Sequence, residues 1–141
     1  MLGPTEGQIT LFGTEAIATD PTHARRVANG LTRLGPMVRE RVMTGFLSTE
    51  EEKDLILLRF ARRCFDEGPR DPDVHAAFVL ERNVNNEVCR FIEFIRFEEK
   101  DGMLGSVIHP KNNVLPLLRG HFCSRLPDED FLIFDAAHGT A

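Results

Sequence analysis

Two histidines lie in the segment VIHPKNNVLPLLRGHFCSRLP, residues 107–127, one on each side of its polar stretch: His109 after an apolar, strand-like run and His121 inside an apolar, helix-like one. An imidazole titrates close to neutrality, so either one can act as acid, base or phosphate contact. They do not read as a metal pair: a turn and more than one helical turn separate them, and His121 and Cys123 on a helix point about 200° apart. No metal is therefore expected. His121 at the rim of a cleft is the expected catalytic acid or base, and Asp135, at the end of the apolar run FLIFD, is the carboxylate expected to orient it. A chain position like that of Asp135 suits a turn former equally well.

The anion-binding candidates are Arg96, Asn113, Arg125 and His109. Arg96 stands between Ile95 and Phe97 on a predicted strand with Glu93, Glu98 and Glu99 nearby, so pairing with a carboxylate across the sheet competes with an anion role. Asn113 is placed as the N-cap of a helix with Pro116 in its first turn, where the missing N–H costs no hydrogen bond. A helix N-terminus is also a ready anion site, so both roles stay open. Asp128, Glu129 and Asp130 form a solvated acidic cluster.

Several elements must position these residues. Gln8–Thr19 reads as one bulged strand or two short ones around Gly13. Asp20 followed by Pro21 predicts a capped amphipathic helix ended by Gly35-Pro36, and a second helix over Met37–Phe46. Ser48 and Glu51 have capping-box spacing ahead of a third helix, stopped at Gly68-Pro69, whose broad apolar surface suggests a central position. Asp71-Pro72 opens a fourth. From Phe91 the pattern alternates as in a strand, and Asp101-Gly102 is a hairpin turn, which predicts a β-hairpin near residues 91–109. A helix over Asn113–Leu126 and a last strand, DFLIFD, follow. The fold expected is α+β, with helices packed on a small antiparallel sheet.

At 141 residues and 42% hydrophobic content the chain suits one domain. No apolar run is long enough for a membrane span and the first residues lack the layout of a signal peptide, so the cytoplasm is the expected location and no membrane partner is expected. Cys64, Cys89 and Cys123 read as reduced, mostly buried thiols. A net charge of −5 argues against strong non-specific nucleic-acid binding. Local charge differs: Arg25, Arg26, Arg33, Arg39 and Arg41 stand against the single acid Glu40, forming a basic face that suits either an anionic partner or plain solvation. Walker, G-x-S-x-G, H-E-x-x-H and Rossmann signatures are absent.

From LFGTEAIATDPTHARRVANGL to the end, the chain resembles the DUF4130 family of uncharacterised bacterial DNA metabolism proteins. The resemblance is most specific in Phe94, Arg96 and Phe97, then Pro110, Asn113, Leu115, Pro116, Leu117, His121, Phe122, Arg125 and Pro127, and finally Ile133 and Asp135. It implies an accessory role beside a radical SAM protein that modifies DNA, and an association with uracil-DNA glycosylase-like domains. The radical chemistry and its iron–sulfur cluster would be the partner's, and no cofactor is expected here. Three departures bear on activity. Asn112 and Phe134 stand where the family typically has histidines, and His138 stands where it has an arginine. Relatives also extend further at both ends, so the chain reads as a single domain truncated at both. The leading expectation is an accessory or nucleic-acid-binding domain in DNA metabolism or repair. The rivals are a nucleic-acid-directed hydrolase or glycosylase-type enzyme using His121, and a degenerate protein-interaction domain.

Overall fold

The computed structural model describes residues 18–66 and 73–141. The expected strand at Gln8–Thr19 lies almost wholly outside them, as do the Gly68-Pro69 stop and the Asp71-Pro72 start.

Asp20 begins the fold as its residue type dictates. Its carboxylate accepts hydrogen bonds from the N–H groups of Thr22 and His23 at 2.9 and 3.1 Å, and Pro21 occupies the first position of α1, Pro21–Arg33. Gly35 then takes a φ of 113°, a value open to glycine, and Pro36 starts α2, Pro36–Phe46. Next come α3, Lys53–Asp66, and α4, Asp73–Phe94. The capping box expected at Ser48 and Glu51 does not form. The Ser48 hydroxyl accepts instead from the N–H of Glu50, making a short turn, and the helix starts two residues after Glu51.

The remaining elements are β1, Glu98–Lys100, β2, Met103–Ile108, α5, Leu115–Arg125, and β3, Asp130–Asp135. The fold is α+β as expected, with two corrections to the sheet. First, the hairpin is shorter than residues 91–109. Phe91–Phe94 continue α4, because Val84, Val88, Phe91 and Ile95 recur at helical spacing and pack on one cluster. Asp101 and Gly102, at φ values of 53° and 81°, form the predicted tight turn between β1 and β2. Second, the sheet is mixed. β1 is antiparallel to β2, but β3 runs parallel to it, since α5 carries the chain back before β3 begins.

Two cores share one helix. Val84 and Val88 of α4 join Ile108, Val114, Leu118, Phe122 and Ile133, while Ala77 and Leu80 of the same helix join Val38, Leu57 and Phe60. The central position expected for α3 thus belongs to α4; Leu55, Leu58 and Phe65 of α3 face solvent. The sheet buries one face, with Ile108, Ile133 and Asp135, and leaves Met103, Val107, Leu132 and Phe134 of the other exposed. Among the described residues no helix is long and apolar enough to cross a membrane.

Arg41 departs from the basic face expected for it. Its Nε donates to Glu81 at 2.7 Å and its guanidinium lies over the rings of Phe60 and Phe78, joining α2, α3 and α4. Arg25, Arg26, Arg33 and Arg39 remain exposed. Removing one partner of a nearly buried pair strands the other, so Arg41→Met is expected to destabilise the fold by about 3 kcal/mol in urea unfolding, with Arg39→Met nearly neutral.

Candidate functional site

Helix α5 sorts the candidate residues by flank. Leu118 and Phe122 point into the core. His121 and Arg125, one turn apart, share one flank, while Pro116, Arg119 and Cys123 share the other, about 120–180° away. The His121 ring lies 4.9 Å from that of Phe122, edge to face, and the Phe97 ring approaches Phe122 at 5.3 Å. Phe122 therefore joins the linker carrying Arg96 to the flank carrying His121 and Arg125. Arg96 and Arg125 are exposed and His121 is half-buried. Arg96 sits in the linker between α4 and β1 rather than on a strand, and among the described residues no carboxylate pairs with it. Cross-sheet pairing is not its role.

His109 is exposed where β2 ends, ahead of the turn into α5. Asn113 does not cap α5. Val114 occupies the N-cap and makes no side-chain cap bond, while Asn113 directs its N–H and its amide to the carbonyl of Leu47, at 2.9 and 3.4 Å. The neighbouring residue has the stronger polar role. Asn112 is 5% exposed, and its side-chain amide and its backbone N–H donate to Glu87 of α4 at 2.7 and 2.9 Å. Glu87 also accepts the N–H of Lys111 at 2.6 Å, and the Asn112 side-chain Oδ1 accepts from the N–H of Thr49. Lys111 reaches Glu50 at 2.9 Å. One carboxylate thus pins the loop before α5 to α4 and, through Asn112, to the loop before α3. Its only sequence signal is the departure at Asn112.

Asp135 is 1% exposed, and its carboxylate accepts the N–H of His138 at 3.0 Å and contacts His138 Nδ1 at 2.6 Å. It partners His138, not His121. A short antiparallel bridge to Thr140, with Gly139 at a φ of 66°, closes the turn that makes this possible. Asp135 is therefore a turn former and a site residue together. An imidazole held through Nδ1 by a buried carboxylate leaves Nε2 for acid–base work, the division of labour found in hydrolytic triads. The i,i+3 spacing of Asp135 and His138 was the available signal. Asp135 and Asn113 also border a groove of about 760 Å³ between β3 and the Pro116, Arg119 and Cys123 flank of α5. Among the described residues no group of three or more metal-ligating side chains converges.

A family model described as a domain of unknown function, DUF4130, matches residues 51–141, well over half of the chain. No curated protein and no solved structure matches.

Glu87→Ala is expected to cost about 2 kcal/mol, read as a lowered urea midpoint, because it leaves the buried Asn112 amide without its acceptor. The cysteines provide a separate test, since Cys64 alone is half-buried while Cys89 and Cys123 are exposed, against the expectation of mostly buried thiols. Burial pushes the Cys64 thiol up and the Arg41 guanidinium only partly opposes it. Less thiolate forms at a given pH, so iodoacetamide at neutral pH should label Cys89 and Cys123 before Cys64, with the order lost in urea.

Proposed function

The chain belongs to the DUF4130 family, and from that premise we propose that it is an accessory, nucleic-acid-binding domain of DNA metabolism or repair, working beside a radical SAM protein. The observation that supports this reading best is that Phe122 of α5, the helix carrying His121 and Arg125, also contacts Phe97 of the linker that holds Arg96, with both arginines exposed and free of carboxylate partners among the described residues. Exposed guanidinium groups are suited to bidentate phosphate contacts, and the half-buried imidazole of His121 adds a hydrogen-bonding group on the same flank as Arg125. The chain carries a net charge of −5, so binding depends on this local cluster and not on a general positive field. Radical chemistry and its iron–sulfur cluster belong, on this reading, to the partner. A uracil-DNA glycosylase-like protein is a second candidate partner.

A second reading is a nucleic-acid-directed hydrolase or glycosylase-type enzyme. Its support is the buried Asp135 carboxylate against His138, which orients an imidazole as an acid–base catalyst requires. His138 rather than His121 is then the acting base, and Asp135 its positioning residue.

A salt titration with single-stranded, duplex and uracil-containing DNA, with and without the radical SAM protein, separates the readings. Binding that weakens as salt rises is expected, with Arg125→Ala and Arg96→Ala each lowering the salt slope by roughly one. His121→Ala is expected to weaken binding as well, by removing an imidazole one helical turn from Arg125. Absence of binding to every DNA, with or without the partner, overturns the accessory reading. Turnover of uracil-containing DNA that is lost in His138→Ala but kept in Arg125→Ala establishes the enzyme instead.

A further inference from the structure

Helix α1 and the residues that follow it carry charge of one sign. Residues 21–39 hold Arg25, Arg26, Arg33 and Arg39 and no Asp or Glu, although the whole chain carries −5. Asp20, the carboxylate at the start of α1, is committed to the N–H groups of Thr22 and His23. All four arginines are exposed, and among the described residues none is in an ion pair. At about 100° per residue, Arg25, Arg26 and Arg33 fall within about 100° of one another and about 120–160° round the helix from Leu31, the residue that α1 buries. Residues 1–17 contain two carboxylates, Glu6 and Glu15, too few to balance four guanidinium groups.

Gly30 lies beside them. It stands in the interior of α1, where glycine weakens a helix, and it is exposed, with nothing within 4 Å of where a Cβ would sit. Among the described residues no packing accounts for a glycine there. Arg26 precedes it by four residues and Arg33 follows it by three, so bare backbone lies between two guanidinium groups set about 10.5 Å apart along the axis. A ligand that comes close to the helix at Gly30 meets a cation on either side. Successive phosphates of a duplex strand rise by about 3.4 Å, so Arg26 and Arg33 can each meet a different phosphate of one strand. Guanidinium groups, with no lysine among them in this stretch, grip phosphate oxygens in pairs. A lipid surface fits less well. An interfacial helix lays bulky apolar residues into the bilayer, and the largest apolar residue of α1, Leu31, is buried in the protein.

We propose that the outward face of α1 is a second nucleic-acid contact: one phosphate strand of a duplex lies over Gly30, between Arg26 and Arg33, with Arg25 beside it. The contact reads charge and not sequence, because phosphates position a protein without specifying bases. It rests on the nucleic-acid reading above for its class of ligand but uses none of the same residues. Helix α1 also lies outside residues 51–141, the part that the family model matches.

The probe is a short fluorescein-labelled DNA duplex, titrated with the 141-residue protein and followed by anisotropy at salt concentrations from about 50 to 200 mM. Arg25→Gln, Arg26→Gln and Arg33→Gln together are expected to lower the salt slope by about two to three and to weaken binding at the lowest salt by about tenfold or more. Removing as many exposed arginines elsewhere, with Arg59→Gln, Arg62→Gln and Arg90→Gln, is expected to leave binding within about threefold. Gly30→Gln is expected to raise the thermal midpoint, since it replaces a poor helix former, and yet to weaken binding by about threefold or more. Far-ultraviolet circular dichroism confirms that each variant is folded. Equal loss in the two triple variants overturns the proposal, because net charge alone would then be acting. So does unchanged binding in Gly30→Gln, or a protein that ignores the duplex and sediments instead with vesicles containing phosphatidylserine. Loss confined to Arg96→Ala with Arg125→Ala overturns it and leaves the α5 surface standing, whereas loss confined to the α1 variants upholds it and removes the α5 surface.

Discussion

The carboxylate of Glu87 is the constraint on which the rest of the structure depends. It sits on α4 between Val84 and Val88, so its backbone is fixed by the sheet-side core, while its oxygens hold the Lys111 and Asn112 end of the loop that leads into α5. Asn112 passes the constraint on to Thr49 at the start of the α3 segment. Each buried donor in this knot has an acceptor, and no described side-chain polar atom is buried without one. In a low-dielectric setting that completeness matters more than any single bond, because an orphaned partner carries its full desolvation cost. The knot lets two modest cores behave as one body, and it sets where α5 begins and so which flank its side chains take.

What the sequence made legible was chiefly local. Asp20 with Pro21, Gly35 with Pro36 and Asp101 with Gly102 each act through the backbone of a few adjacent residues, and each forms what its residue types dictate. The failures are cases where a distant partner outbids a local one. Ser48 and Glu51 had capping-box spacing, yet the polar loop is organised by Asn112, far along the chain. Asn113 looked like a cap, yet the carbonyl of Leu47 takes both its donors. Phe91 to Phe97 alternate like a strand, but Phe91 and Ile95 also fit the helical period begun at Val84, and burial against the larger cluster decides for the helix up to Phe94.

The site residues divide along the same line. Arg96, His121 and Arg125 were recognisable by type, and the spacing of His121 and Arg125 already placed them on one flank. That Phe122 links them to Arg96 is a tertiary fact, carried by ring contacts with Phe97 that no spacing encodes. Asp135 stands out in the sequence for its place at a strand end, and residue type alone suggests His121 as its partner. The turn through Gly139 gives it His138 instead, at 2.6 Å.

Because β3 is reached by way of α5, that helix and that strand lie side by side and in opposite directions, and every feature of the chemistry-bearing half follows from their being neighbours. The inward face of α5 is spent on Leu118 and Phe122, which must fill the space over Ile108 and Ile133. Only the flanks remain for polar work. One looks past Phe122 to the linker of Arg96, and the other looks along the groove beside β3 to Asp135. The flank of His121 and Arg125 and the groove beside β3 therefore stand back to back across a helix about 10 Å thick. Phe122 contacts both His121 and Phe131 of β3, and so ties the two flanks to one core side chain.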